Sequence, residues 1–220
     1  NKGVELTVET RNIVKPKFSW STSLTLSHNK QMVEDIGSED FVSAMNSPGN
    51  SQYMMYGYVK GRPLNALWGF KYGGVWHNQE EIERNKVTNT YVSATTSLSP
   101  GLPRYIDTNN DGSLDQKDLV YLGNADPTIY GGLQNTFNIG QLKVGVYFAY
   151  SLGGKIYNYS ELYMAGTYSS NQYRYMANSW HPVRNPDSDL PRAGAVQVHV
   201  PSDLQVHDAS YLRLKNVSVG

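Results

Sequence analysis

The sequence predicts an all-β protein whose strands belong to an antiparallel transmembrane β-barrel, and two patterns indicate this fold. First, segments of roughly ten residues alternate apolar and polar side chains, which is the period of a strand with two different faces. Second, short and long connections follow one another along the chain, as tight turns and long extracellular loops do in such barrels. A soluble β-sandwich with long decorated loops is the alternative that the same patterns allow.

The alternating segments give about seven strands of the length that a tilted strand needs to cross a bilayer, about 9–11 residues. They lie at residues 4–13, 17–28, 53–60, 64–72, 128–139, 141–152 and 210–220. The long loops between them are 29–52, 73–127 and 153–207, and the tight turns are 14–16, 61–63 and 140. Because three long connections alternate with three tight turns, we expect all the long ones to leave the barrel on its extracellular side.

Two of these segments show the alternation most clearly and predict which side chains share a face. Apolar residues occupy one parity of 17–28 and of 141–152, and small or polar residues occupy the other. A charged side chain at the middle of a bilayer costs about 2–4 kcal/mol, so the apolar parity should face lipid. We therefore expect lipid contact for Phe18, Trp20, Leu24, Leu26, Leu142, Val144, Val146 and Phe148, and a lumen position for Ser19, Ser21, Ser23, Gln141 and Lys143.

Composition excludes several classes of protein. Lys and Arg number 19, Asp and Glu number 19, and the formal charge is zero. Binding of nucleic acid as the main function is therefore excluded, because phosphates require clustered basic residues. The absence of cysteine excludes disulfide scaffolds, thiolate metal sites and thiol catalysis. The chain begins without Met or a signal peptide and ends within an alternating pattern, which suggests a piece of a longer protein.

Residues 107–118 contain a motif that predicts a bound cation. The segment reads DTNNDGSLDQKD, which matches a calcium-binding loop with a glycine for the sharp turn. Aspartate ends the loop where helix-loop-helix sites have glutamate, and a solvated Asn-Asp-Gly turn is the alternative. The ion would be calcium, with magnesium as the second choice. The predicted ligands are Asp107, Asn109, Asp111, Ser113 through its carbonyl oxygen, Asp115 and Asp118.

No residue pattern predicts catalysis, and we expect a protein that is not an enzyme. The chain lacks the zinc-protease, nucleophile-elbow and phosphate-loop motifs. The acidic run at 78–86 is typical of a short exposed helix. The Tyr-rich stretch 157–180 is either a recognition surface or a lid that packs over the barrel mouth. The histidines are scattered, at His28, His77, His181, His199 and His207.

Short landmarks along the whole chain resemble the late barrel of SusC/RagA-family TonB-dependent transporters. They occur in the same order as in that family, which makes the resemblance specific. The landmarks are residues 1–6 with 27–30, 68–76, 105–118, 122–127 with 131–137, 154–158, Trp180 before a Pro/Asp-rich loop, and 208–217.

The resemblance implies that residues 1–220 are a C-terminal portion of an outer-membrane barrel of about 22 strands, without its plug domain. Such transporters take up a nutrient, either a glycan or a peptide, across the outer membrane. The implied partners are a SusD-like surface lipoprotein, TonB through the missing N-terminal part, and outer-membrane lipid. No catalysis is implied. Two alternatives from the residues themselves stay open: a secreted, calcium-stabilised carbohydrate-binding β-domain, and a module of a glycan-active enzyme.

Overall fold

The computed structural model describes residues 1–38, 42–43, 57–85, 88–89, 98–165, 171–194 and 200–220. Within these residues the helices are α1 (Gln79–Arg84) and α2 (Tyr159–Met164), with short 3-10 helices at Gln116–Asp118, Arg174–Asn178 and Asp203–Gln205. No described helix has the length and hydropathy needed to span a membrane. The strands are β1 (Lys2–Lys15), β2 (Phe18–Lys30), β3 (Val42–Ser43), β4 (Gly57–Tyr58), β5 (Ala66–Gly69), β6 (Tyr72–Val75), β7 (Thr88–Asn89), β8 (Pro103–Tyr105), β9 (Ser113–Leu114), β10 (Val120–Asn124), β11 (Ile129–Ile139), β12 (Leu142–Leu152), β13 (Lys155–Tyr157), β14 (Val206–Asp208) and β15 (Tyr211–Val219).

Five long strands form one antiparallel sheet in the order β1-β2-β11-β12-β15. Tight turns at 16–17 and 140–141 join β1 to β2 and β11 to β12. Gly140 has a φ of 64°, which a residue with a side chain rarely adopts. Neighbouring strands run in opposite directions. The connections 31–128 and 153–210 therefore both leave the sheet at the strand ends opposite these turns.

The register of the sheet separates an apolar face from a hydroxyl-rich face. Leu24 pairs with Leu133, which pairs in turn with Phe148, whereas Ser23 pairs with Gln134. The predicted separation is confirmed, because the eight apolar residues named above share one face and Ser19, Ser21, Ser23 and Lys143 share the other. Gln141 differs from the prediction, since it lies in the turn and not on a strand.

The apolar face of the sheet is not covered by another layer of the described residues. Val4 is 63% exposed, Leu212 is 71% exposed and Val219 is 67% exposed. Among the described residues, every buried apolar side chain belongs to one of the two long connections: Val33, Ala66, Leu67, Trp68, Phe70, Val75, Trp76, Ile82, Leu102, Leu114, Tyr157, Ala165, Met176, Trp180 and Val200. In the described residues, the connections therefore bury their apolar side chains, whereas the sheet leaves much of its apolar face exposed.

The prediction that segments 53–60 and 64–72 are barrel strands is wrong. β2 pairs directly with β11, so the sheet has five strands where about seven were expected. β4 pairs with β3, and β5 pairs with β10, while residues 53–56 lie outside the described part. β5 has four residues, all of them buried, which is far short of the roughly nine that a membrane crossing needs. It packs within the loop region, between β10 of the same connection and Pro201 of the other.

The two long connections form a layer with its own small cores. One core contains Trp76, Ile82 and Leu102, and the expected helix at 78–86 is confirmed as α1, which contributes Ile82. A second core joins Phe70 and Leu114 from the first connection to Val200 from the second. Burial of these side chains, at about 25 cal/mol per Å² of apolar surface, holds the layer together.

One polar cluster interrupts the apolar face of the sheet. Asn135 Oδ1 accepts hydrogen bonds from Trp20 Nε1 at 3.0 Å and from Thr22 Oγ1 at 2.8 Å. Asn12 Nδ2 donates to Thr22 Oγ1 at 2.7 Å, and Thr10 Oγ1 donates to Asn12 Oδ1 at 2.8 Å. Asn12 is the additional residue of a β-bulge in β1. The polar groups thus bond one another, which limits the cost of placing them on an apolar surface.

Substitution Asn135→Ala is expected to destabilise the full-length protein by about 1–3 kcal/mol, because Trp20 Nε1 and Thr22 Oγ1 lose their shared acceptor. Guanidinium unfolding in detergent measures this change. Asn138→Ala is the matched control, since Asn138 donates to Ser19 on the opposite, polar face, where water replaces the lost bond. Equal losses for both variants would contradict this account of the cluster.

Candidate functional site

The two long connections meet beyond the strand ends from which they leave the sheet, and we call their line of contact the seam. Phe70 N donates to Pro201 O at 2.9 Å, and Asp203 N donates back to Phe70 O at 3.2 Å. Tyr72 N donates to Asp203 Oδ1 at 2.8 Å, and its hydroxyl donates to Asp189 O at 2.6 Å. Burial, with further contributions from Tyr105 and Asp189, raises the pKa of the Tyr72 phenol. The seam makes one continuous surface from both connections.

The predicted cation loop at 107–118 lies in this layer and is anchored to the second core. Leu114 is 1% exposed and packs with Phe70 and Val200. Asn110 and Gly112 have φ values of 58° and 82°, as the sharp turn of such a loop requires. The sequence pattern folds locally in this way because aspartate and asparagine side chains bond nearby backbone amides.

Asp118 closes the loop. Its carboxylate is fully buried. Oδ1 accepts from Thr108 N at 2.8 Å and from Asn109 N at 3.4 Å, and Oδ2 accepts from Asp115 N at 2.8 Å. Thr108 Oγ1 adds a fourth hydrogen bond at 3.3 Å. One side chain therefore ties the start of the loop to its end.

The remaining predicted ligands bond within the loop. Asp107 accepts from Asn110 N at 2.7 Å and from Gly112 N at 2.8 Å. Asn109 and Asp111 are joined through their side chains at 3.0 Å. Among the described residues, which include all of 107–118, no three His, Asp or Glu side chains converge as a metal-binding group. The bound cation thus stays a prediction, and each oxygen of Asp107 keeps an acceptor position beyond its amide bond.

A second cluster, centred on Glu161, connects α2 to β14 and was not predicted. Glu161 is 7% exposed, and it accepts hydrogen bonds from Tyr175 OH and from His207 Nε2, each at 2.5 Å. Burial, and then the hydrogen bond to Glu161, raise the pKa of the Tyr175 phenol. His207 is 46 residues from Glu161 in sequence, so no local spacing signals the pair.

The Tyr-rich stretch 157–180 lies partly at the seam, and its residues 166–170 lie outside the described part. Tyr173 stacks on Tyr175, with ring centroids 5.7 Å apart. Tyr175 and Tyr105, the latter just before the cation loop, line the same small cavity. Loop 107–118 and the Tyr-rich stretch therefore belong to one surface.

The histidines of the described part stay apart from one another. His77 lies 3.7 Å from Glu81, His28 bonds Thr128 O at 2.6 Å, and His207 bonds Glu161. His181 Nδ1 accepts from the backbone amides of Val183 and Arg184. The contacts of His77 and His181 are local, whereas those of His28 and His207 span 100 and 46 residues.

The fold occurs in solved transporter structures. A chain in the structure of the RagAB peptide transporter superposes with a TM-score of 0.70 over 99% of this chain and 22% of its own length, at 18% identity. The structure of the RagAB peptide importer in the open-open state gives 0.68 over 99% of this chain and 21% of its own, also at 18% identity. At this identity the likeness is one of fold: a mostly-β chain that resembles the barrel of a transporter.

No protein-family model matches the chain, but curated relatives match it from end to end. TonB-dependent receptor P26 of Formosa agariphila is 32% identical over 99% of this chain, and TonB-dependent receptor P3 of the same organism is 28% identical over all of it. Each alignment covers 21% of the relative, so the chain spans about a fifth of the length of the curated relatives it matches. Over its whole length the chain is similar to TonB-dependent receptors, and these relatives together with the fold support a fragment of the SusC/RagA type.

Substitution Asp118→Asn is expected to destabilise the loop by about 1–3 kcal/mol. The amide nitrogen would replace one carboxylate oxygen, and a backbone N–H group that now donates a hydrogen bond to this oxygen would lose its acceptor. Hydrogen exchange of residues 98–128 in the full-length protein measures the loss. Lys117→Gln is the control, since Lys117 is an exposed residue of the same loop and is not a predicted ligand, and the substitution should change protection by less than about 0.5 kcal/mol. Unchanged exchange in Asp118→Asn would show that this side chain does not close the loop.

Proposed function

We propose that the chain forms part of the wall and outer mouth of a closed outer-membrane β-barrel that takes up a nutrient, either a glycan or a peptide. The observation that carries this proposal is the apolar face of the five-stranded sheet, which no described residue covers. Lipid chains are the environment in which such a face is stable, and strands of 9–14 residues have the length to cross them.

The unpaired sides of the two edge strands support the proposal that the barrel is closed. In the described residues, β1 and β15 each pair with one neighbour only. Unpaired backbone groups cost several kcal/mol each in hydrocarbon, so spanning sheets close on themselves. Further strands of the whole receptor would pair with β1 and β15, and a barrel of about 22 strands leaves room for a plugged lumen.

The relatives support the energy source and the partner. Two curated relatives are named TonB-dependent receptors, so we propose that TonB energises uptake through parts of the receptor beyond this chain. The similar solved structures are those of the RagAB peptide transporter and importer, so a SusD-like lipoprotein is the proposed partner above the loop layer. Receptors and transporters support a role in uptake and not in catalysis.

Within the same proposal, loop 107–118 binds calcium, or alternatively magnesium, as a structural ion. The turn at Asn110 and Gly112, the half-buried Asp107 and the closure by Asp118 support it, since oxygen side chains on alternate residues of a tight loop suit calcium. The ion would hold the layer that Leu114 joins to the seam, with ligands from Asp107, Asn109, Asp111, Asp115, Asp118 and the Ser113 carbonyl oxygen.

The side of the membrane on which each loop lies tests the barrel proposal. This chain contains no cysteine, so a cysteine introduced into it is labelled without interference from others in the chain. Val183, in the connection 153–210, is 83% exposed, whereas Lys17 lies in the tight turn between β1 and β2, at the opposite end of the strands. A membrane-impermeant maleimide should label Val183→Cys on intact cells and should label Lys17→Cys only after the outer membrane is permeabilised. Any cysteine in the rest of the receptor is first replaced by serine, so that each variant carries a single cysteine.

The reverse labelling pattern would place the long connections in the periplasm and overturn the proposed sidedness. Labelling of both positions in a protein that is extracted without detergent would favour the soluble β-domain instead. Migration of the unheated protein on gels, which differs for folded and unfolded barrels, verifies that each variant is folded.

The calcium proposal predicts that the substitutions Asp107→Asn and Asp111→Asn each weaken calcium binding by tenfold or more, since each removes a charged ligand. Isothermal titration of the detergent-purified receptor, stripped with a chelator, gives the affinity. Asp187→Asn is the matched control, because Asp187 is exposed and lies outside the loop. No calcium heat in the wild-type receptor, or equal affinity in all variants, would refute the ion site.

A further inference from the structure

We propose that an open pocket at the junction of the two long connections binds the carboxylate or sulfate group of an acidic oligosaccharide. This inference rests on the proposed uptake function and names the chemistry of its substrate. The pocket has a volume of about 410 Å³ and lies between Pro100 of the first connection and the segment 179–193 of the second. Its basic members are Arg184, Arg192 and His181.

The walls of the pocket are fixed by hydrogen bonds. Trp180 N donates to Leu190 O at 2.9 Å, and the backbones of His181 and Asn185 bond each other at 3.2 and 3.1 Å. These bonds close a compact loop that carries Arg184. Because the loop is held by its own backbone, the main chain that carries Arg184 is organised before any ligand arrives.

The second arginine is held where the two connections touch. Arg192 N donates to Gly101 O at 2.9 Å, and its Nη2 donates to Ser99 Oγ at 3.2 Å. Gly101 has a φ of 83°, and an added Cβ would lie 2.6 Å from Trp180 and 2.8 Å from Arg192. Glycine is therefore required here for Trp180 and Arg192 to approach the backbone so closely.

The pocket offers donors and positive charge but no carboxylate. His181 Nδ1 accepts backbone N–H groups, so the proton of the neutral ring lies on Nε2. Trp180 is 8% exposed, and its Nε1 finds no acceptor among the described residues. Among the described residues, no Asp or Glu lines the pocket.

Such a site fits an anion, because guanidinium groups bind carboxylate and sulfate oxygens through paired, charge-assisted hydrogen bonds. In the described residues, neither Arg184 nor Arg192 forms an ion pair that would already neutralise it. A peptide brings an ammonium group and backbone N–H groups that also need acceptors. A pocket without a carboxylate therefore favours an acidic oligosaccharide, whose hydroxyls both donate and accept.

The test measures binding to the detergent-purified full-length receptor by isothermal titration, with tetragalacturonate as the carboxylate probe and a carrageenan tetrasaccharide as the sulfate probe. Methyl-esterified tetragalacturonate keeps the sugar and removes the charge. At least one anionic probe should bind, and the ester should bind weakly. Arg184→Gln and Arg192→Gln should each lower that affinity about tenfold, as loss of one charge-assisted contact does, and the double variant should match the ester.

Arg174→Gln is the matched control, because Arg174 is an exposed arginine of the same connection outside the pocket, and it should bind like wild type. Both pocket arginines are exposed, so the variants should fold, which gel migration of unheated samples verifies. Binding of neither anion, or binding indifferent to both arginines, overturns the proposal. Arginine-dependent binding of tetraglutamate without binding of either glycan overturns the choice of oligosaccharide.

Nutrient uptake by whole cells, with and without functional TonB, separates this inference from the proposed function. Uptake that requires TonB, together with a receptor that ignores both anions, leaves the transport proposal standing and removes the anion site. Uptake that is absent in both strains removes the transport proposal, and the titration still decides whether the pocket binds anions.

Discussion

Backbone pairing between five long antiparallel strands is the constraint on which the rest of the molecule depends. The register between β2 and β11 and between β11 and β12 runs without a shift, so the face of every side chain is determined along both interfaces. A slip by one residue would exchange the apolar and the hydroxyl-rich faces. Because of the same pairing, both long connections leave the sheet at the same strand ends, where they pack together as the loop layer.

The loop layer solves a different physical problem from the sheet. Its segments are too long to remain unstructured in a compact protein, and they bury apolar side chains against one another at the seam, where Phe70, Leu114 and Val200 pack together. Where little apolar surface is buried, hydrogen bonds of polar side chains stabilise the loop layer. Asp118 ties the loop 107–118 together, and Glu161 joins α2 to His207. Both carboxylates are buried with hydrogen-bond partners, as buried charge requires.

The sequence predicted what depends on local periodicity and missed what depends on distant contacts. The strands of the sheet were visible because side chains alternate along each strand without reference to the fold. The same alternation misled at 64–72, since Ala66 and Trp68 serve a short buried strand as well as they would a membrane strand. The loop 107–118 was recognisable because its residues are neighbours. The pairing of Glu161 with His207, and of Arg192 with Ser99 across 93 residues, leaves no trace in spacing.

The separation of the loop cores from the five-stranded sheet has a consequence for evolution. The strands must keep their alternation and their register, yet their apolar positions accept many side chains of similar size. The loop layer carries its own cores at a distance from these strands, so substitutions there leave the sheet intact. Duplicated receptor genes can therefore diverge in what they recognise while the wall that carries the recognition surface is inherited nearly unchanged.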